Sequence, residues 1–231
     1  PRSYNHIIQK MKQLKLKHSQ ERRIQEGSLW IFSNQVEDSV KEFKAREIVR
    51  VTLHNGKSLG MGYVNPHSLI AVRILTTEDR DMEADFFRQR FLQAKALREK
   101  VLPGEEAVRE VFSESDGLPG LIVDRYGDIL VVQITTAGMD RLRDKILPVL
   151  VEIYKPRGIF ERSDSGVRKL EELEPRVGAL WGEIPEEPVW VKYAGLSMPV
   201  NVRLGQKTGL YLDQRKNLDW ITGLASGARV P

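Results

Sequence analysis

Apolar positions along the chain fall into short alternating runs and longer stretches of helical period. Leu14-Lys15-Leu16-Lys17 alternates as a strand with one buried face, and residues 18–26 predict a short helix ended by Gly27 as its C-cap. Trp30-Ile31-Phe32 is an apolar strand. Residues 47–53 and 59–64 read as strands flanking Asn55-Gly56, which predicts a two-residue hairpin turn because both positions accept positive φ. Residues 68–75 add another strand. Several short strands with one short helix predict a small, partly closed barrel.

Residues 82–102 then predict one long helix, with Phe87, Phe91, Leu92 and Leu97 as its buried stripe and Pro103-Gly104 as its stop. Beyond it, residues 120–124 and 128–135 read as strands about Arg125-Tyr126-Gly127. Asp140 is placed to cap a helix over 140–154, with Leu142, Ile146, Val149 and Ile153 on one face and Pro148 as a kink. Residues 158–162 return as a strand, and 190–193 pair with 197–202 around Ala194-Gly195. A last helix over 213–225 leads to strand-like Gly227-Ala228-Arg229-Val230. The fold class expected is α+β. A barrel over 1–80 is followed by a linker helix over 81–107, a central β-β-α-β-β domain over 108–203 and a terminal segment over 204–231.

Composition narrows the chemistry. A hydrophobic content of 41% with 29% charged residues is ordinary for a folded globular protein. No run of about 18 apolar residues offers a membrane span. The first residues are polar and basic, without the apolar core of a secretory signal, so a cytoplasmic location is expected. The sequence has no cysteine, which removes disulfides, thiolate zinc sites and a cysteine nucleophile from these residues. His6, His18, His54 and His67 have no metal-ligand spacing, and no metal is expected. The net charge of +4 is unevenly spread: residues 1–25 hold seven Lys/Arg, among them Arg2 and Lys10, against the single acid Glu21. Lys15, Lys17, Arg22 and Arg23 are therefore candidates for contact with a phosphate backbone. The competing reading is a solvated, lysine-rich end.

Several tempting motifs fail on spacing. Gly60-Met61-Gly62 lacks the third glycine and the strand-turn-helix setting of a dinucleotide loop. The pairs Glu171-Glu172 and Glu186-Glu187 sit in polar surroundings and read as solvated surface. Two segments are denser. Residues 116–127, Asp-Gly-Leu-Pro-Gly-Leu-Ile-Val-Asp-Arg-Tyr-Gly, force a defined turn into a buried strand. Residues 205–215, Gly-Gln-Lys-Thr-Gly-Leu-Tyr-Leu-Asp-Gln-Arg, set an amide, a cation and a hydroxyl between glycines.

Both segments, in this order, resemble signatures of the bacterial large-subunit ribosomal RNA methyltransferases that form 5-methylcytosine. Gly27-x-x-Trp30-Ile31 and Gly60-x-Gly62 also fit that family's N-terminal PUA domain, and Arg162-Ser163-Asp164 its central domain. The resemblance implies S-adenosylmethionine as methyl donor and ribosomal RNA as partner. It places Gln206, Lys207, Thr208, Asp213, Gln214, Arg215 and Asn217 near the catalytic cleft, with bracing of a domain junction as their alternative role. In that chemistry a cysteine thiolate adds to C6 of an unstacked cytosine, and a doubly wound domain holds the donor. With no cysteine and no glycine-rich cofactor turn, the expectation is that the doubly wound methyltransferase domain is absent, residues 204–231 holding the signature loop and only the start of that domain. No catalytic residue is then expected here, and no activity from these residues alone. A free-standing, non-catalytic RNA-binding protein is the alternative. Departures from the family are Glu172 where it has Gly, Ala194 where it has Asn, and Leu218 where it has Arg. Trp220, Ile221 and Leu224 predict an exposed apolar end capable of self-association.

Overall fold

The structure, a computed structural model, describes residues 11–225. Arg2, His6, Lys10 and the strand expected at 227–230 lie outside the described residues. In chain order the first unit comprises β1 (Gln13–Lys15), α1 (Arg22–Gln25), β2 (Trp30–Phe32), β3 (Ile48–Thr52), β4 (Ser58–Val64) and β5 (Ile70–Thr76). These strands form a sheet in the order β1-β3-β4-β5-β2, with β1 parallel to β3. Alternation turns Leu14 and Leu16 into the barrel core with Ile31, Val49, Val51 and Val72, and leaves Lys15 and Lys17 on the outside. The β3–β4 turn differs from the expected two-residue form. Leu53 N–H bonds Lys57 O at 2.9 Å, so the loop holds three residues, and only Gly56 has positive φ.

The chain continues through α2 (Ala84–Val101), β6 (Ala107–Phe112), β7 (Leu121–Tyr126), β8 (Ile129–Ile134), α3 (Ala137–Tyr154), β9 (Gly158–Ser163) and β10 (Arg176–Gly182). A hairpin of β11 (Val189–Tyr193) and β12 (Leu196–Val200) precedes α4 (Arg215–Ala225). The second sheet has the order β10-β9-β8-β7-β6. Its one parallel pair, β8 with β9, is joined by α3, as a parallel pair needs a crossover.

The expected β-β-α-β-β pattern is thus corrected to β-β-β-α-β-β, with β11–β12 forming a separate two-stranded sheet. Strand β6 was hidden because Arg109 and Glu110 interrupt its apolar alternation. The adjacent strand neutralises both: Asp124 accepts from Arg109 at 2.8 and 2.9 Å, and Glu110 accepts from Arg125 at 2.7 Å. Strand β10 lies at the sheet edge and is largely exposed, so it needs little apolar content.

Helix α2 buries Phe86, Phe87, Phe91 and Ala94, whereas Leu92 and Leu97 are exposed. The stripe keeps Phe87 and Phe91 but adds Phe86 and Ala94 in place of Leu92 and Leu97, because the helix packs on both α3 and β6. Asp140 does not cap α3, which begins at Ala137. It is buried instead, 2.8 Å from Arg176 and within 4 Å of Arg46 and Arg168. Trp220, Ile221 and Leu224 on α4 are exposed. Among the described residues no helix is long and apolar enough to cross a membrane.

Barrel and second sheet share one core, in which Met61, Tyr63 and Leu75 join Phe86, Phe87, Phe91, Val123, Val132 and Ile146. The Tyr63 hydroxyl lies 2.9 Å from both Pro119 O and Thr136 Oγ1 and donates its one proton to one of them. Its ring lies flat against Gly138, where a Cβ would fall 1.9 Å from the ring, so only glycine allows this approach. Glu171, expected on the solvated surface, is buried at this junction. It accepts from Asn65 at 2.7 Å, Arg73 at 2.6 Å and Ala137 N–H at 3.3 Å. The expectation failed because Glu171 finds its cation 98 positions away, beyond the reach of a local reading.

Two departures from the family pattern have a conformational cost. Glu172 (φ 54°) and Ala194 (φ 52°) are left-handed, where the resembled family carries Gly and Asn, residues that tolerate this region. Glu172→Gly should raise stability by about 0.5 kcal/mol, since relief of the strained φ exceeds the added chain entropy of glycine. Urea unfolding checks this, and any loss of stability would show that the exposed Glu172–His67 contact (3.4 Å) outweighs the strain.

Candidate functional site

Alternate residues of β6 to β9 project from the sheet face opposite α2 and α3. Ala107, Tyr126, Ile129, Val131 and Phe160 form an apolar half there, which the hairpin covers with Val191, Tyr193 and Val200. The same period then becomes polar, with Arg109 on β6, Asp124 on β7, Gln133 on β8 and Arg162 on β9. Here the hairpin gives way to the loop 205–209.

That loop is a tight turn in which Gly205 N–H bonds Asn201 O at 2.7 Å and Gly209 N–H bonds Gln206 O at 2.8 Å. Gly209 has φ 146°, and a Cβ there would lie 2.7 Å from Val200 and 3.1 Å from the Tyr126 ring. Thr208 is buried and donates its hydroxyl to Asp124, which the Arg109 fork holds from the other side. The one Thr208 proton is thereby committed, so Tyr126, 3.1 Å away, is the donor to Thr208. Burial, with the Asp124 charge second, pushes the Tyr126 hydroxyl up to about 12, so this donor persists across the neutral range. The Tyr126 oxygen in turn accepts from Leu210 N–H at 3.1 Å. Asp124 and Tyr126 come from one of the two dense sequence segments and Thr208 from the other. The fold brings the two together.

Between the loop and the polar half of the sheet lies an open cleft of about 450 Å³, lined in part by Arg109, Gln133, Arg162, Ser165, Lys207 and Thr208. Of the expected cleft residues, Lys207 and Thr208 line it. Lys207 also lies 4.5 Å from the Tyr211 ring centroid and 3.5 Å from Asp213. Hydrogen bonding to its own backbone, and then Lys207, hold Asp213 below the usual carboxylate range. Gln206 accepts from the Tyr211 hydroxyl beside the cleft. Gln214 accepts from Asn217 at 2.6 Å, at the start of α4. Arg215 braces: it donates to Ala107 O at 2.5 Å, pairs with Glu105 and lies 4.4 Å from the Tyr193 ring centroid.

The basic candidates lie elsewhere, on β1 and around α1. Lys15 and Lys17 are exposed, Arg22 pairs with Glu26 at 2.8 Å, and Arg23 lies 5.8 Å from the Phe32 ring centroid. None lines the cleft. Arg109 and Gln133 were not singled out from the sequence. The signal available was a polar residue at an interior position of an otherwise apolar, period-two strand. Among the described residues no cluster of His, Cys, Asp or Glu could hold a metal ion.

Residues 14–77 match the family described as a PUA-like domain. Over 221 residues the chain is 41% identical to ribosomal RNA large subunit methyltransferase I of Shewanella frigidimarina, covering 94% of this chain and 56% of that protein. The protein of the same name from Pseudoalteromonas atlantica is 40% identical over 191 residues, covering 81% of this chain and 48% of that one. The chain spans about half the length of the curated relatives it matches. Among solved structures, a putative SAM-dependent methyltransferase from Streptococcus mutans superposes with a TM-score of 0.76 at 19% identity, over 91% of this chain and 54% of that one. A putative methyltransferase solved in complex with SAH superposes with a TM-score of 0.75 at 19% identity, over 90% of this chain and 52% of its own.

These superpositions correct the expectation that the methyltransferase fold is missing. Nine-tenths of the chain shares its fold with about half of each of these two putative methyltransferases. The expectation rested on the lack of a cysteine and a glycine-rich turn. Such local signatures report on single sites, whereas the fold is set by how the sheets and helices pack.

Proposed function

We propose that this chain serves an S-adenosylmethionine-dependent methylation of large-subunit ribosomal RNA, at C5 of a cytosine, and that its residues recognise the RNA. The identity to ribosomal RNA large subunit methyltransferase I across 94% of the chain carries this reading. The convergence of both dense segments on one cleft supports it. In the division we favour, residues 1–80 form a PUA-like RNA-binding barrel, 81–107 a linker, 108–203 the central domain and 204–231 the signature segment. The setting we propose is the cytoplasm.

S-adenosylmethionine would supply the methyl group as an electrophile. The cleft side chains do not fit that donor, because its sulfonium charge would face Arg109, Arg162 and Lys207. No step through the donor is therefore assigned to them. Attack from C5 needs a thiolate first added at C6, and with no cysteine in these 231 residues that thiolate would come from outside them. What these residues contribute is binding and orientation. Phosphate contacts from Lys15, Lys17, Arg22 and Arg23 would hold structured RNA largely by shape.

Changing Lys15, Lys17, Arg22 and Arg23 together to Ala is expected to weaken binding of a large-subunit ribosomal RNA fragment by at least tenfold at about 0.1 M salt. It should also flatten the dependence of log K on log salt by roughly 2 to 4, as up to four phosphate contacts are lost. Unchanged affinity in a folded variant would move the RNA surface off β1 and α1. A chain that binds this RNA no better than an unrelated RNA would overturn the proposed function itself.

A further inference from the structure

We propose that the cleft beneath the loop 205–209 is a phosphate-binding subsite, and that it takes a backbone phosphate of the RNA strand; the choice of RNA rests on the function proposed above. Three cations converge on a small volume, Arg109 and Arg162 from the sheet and Lys207 from the loop. Asp164 is the only acid among the lining residues, and its contact with Arg162 is long at 3.4 Å. Asp213 stands 3.5 Å from Lys207, and both side chains are about half exposed, a loose pair that an incoming phosphodiester anion can displace. Arg109 is already held by Asp124, so its role is to supply field and a remaining N–H rather than a free charge.

The neutral groups have matching chemistry. Gln133 carries an amide, one N–H of which already donates to Arg162 O at 3.0 Å, Ser165 a hydroxyl, and Arg162 keeps a buried Nε–H with no protein acceptor. The rest of the Arg162 guanidinium is fixed by donation to Arg203 O at 3.1 Å and Gly205 O at 3.0 Å, which ties it to the loop. A guanidinium held rigid by carbonyls, with an unspent donor beside an open cationic cleft, is a preorganised donor to an oxyanion. No aromatic residue lines the cleft itself; the rings of Phe112 and Tyr211 are engaged by Arg109 and Lys207 at 5.2 and 4.5 Å. Phosphate is therefore the moiety it selects. The polar half of the sheet is otherwise hard to explain, since these strand positions are apolar where the hairpin covers them.

The test uses the whole chain with Lys207→Asn, chosen because asparagine tolerates the left-handed φ of 54° at this position, combined with Gln133→Glu to repel an anion. Binding of a labelled large-subunit ribosomal RNA fragment is measured against salt, and inorganic phosphate is titrated while the amide resonances of residues 205–209 are followed. The expected result is RNA binding weakened roughly tenfold, with the salt slope lowered by about 1, and phosphate-induced shifts that the variant loses. Wild-type RNA binding that the folded variant leaves intact, with no phosphate response in either protein, would overturn the subsite while leaving the proposed function standing. Phosphate shifts lost in the variant with RNA binding unaltered would keep the anion site and overturn RNA as its source. A wild-type chain that responds to phosphate but ignores RNA would do the same and overturn the function as well.

Discussion

Asp124→Ala is expected to destabilise the protein by about 3 kcal/mol and to release the loop 205–209. Asp124 is fully buried, and its two oxygens serve the Arg109 fork at 2.8 and 2.9 Å and the Thr208 hydroxyl. Removing the carboxylate leaves a guanidinium charge with no counter-ion, the case in which breaking a buried pair costs roughly 3 to 5 kcal/mol. The lower end applies because the Arg109 side chain is 27% exposed and water can reach it. Thr208 loses its acceptor, Tyr126 loses the order of its donor chain, and Lys207 loses its fixed position over the cleft. Urea unfolding gives the energy, and amide exchange of residues 205–209 gives the local effect. A cost below about 1 kcal/mol would mean that Arg109 turns to solvent, and the loop would then be held by Gly209 packing and by the bonds of Gly205 to Arg162 and Asn201. Asp124→Asn separates charge from hydrogen bonding, and should restore Thr208 better than it restores Arg109.

Glu171→Ala should be as damaging, at about 4 kcal/mol, and should loosen barrel from sheet. The Glu171 and Arg73 side chains are 2% and 9% exposed, so neither can be rescued by water. Asn65 and the N–H of Ala137 at the start of α3 also lose an acceptor, each an unsatisfied buried donor worth about 1 kcal/mol or more. Arg73 lies on β5 and Glu171 in the loop after β9, so the damage crosses the boundary between the two sheets. The double variant Arg73→Met/Glu171→Met should recover more than half of the loss, because an apolar pair removes both charges together. If the single variant unfolds like the wild type, the ion pair contributes nothing net, and the shared core around Tyr63 and Phe87 alone joins the two units.

The strands of the barrel and the two long helices were legible in the sequence because their signals are local. Val49 and Val51 alternate with polar neighbours, and Phe87 and Phe91 repeat at the helical spacing. Strand β6 was not legible. Its Arg109 and Glu110 look like loop residues until the partners on β7 are known. Asp140 and Glu171 were misread for the same reason, a charge whose counter-charge lies far along the chain. The candidate site was half legible. The segments 116–127 and 205–215 stood out separately, but nothing in either says that Thr208 rests on Asp124 and Tyr126.

By itself the sequence determined the strands of the barrel, the two long helices, the basic face of β1, the absence of cysteine from these residues and the two segments that resemble methyltransferase signatures. These follow from periodicity and residue type, which act over a few positions. Only the tertiary structure decided that nine-tenths of the chain shares its fold with about half of a solved protein that is 19% identical to it. It likewise decided that Glu171 is a buried clasp and that Arg109, Gln133, Arg162 and Lys207 face one cleft. Burial and charge pairing depend on which residues meet in space, and a residue's own neighbours in the chain do not carry that information.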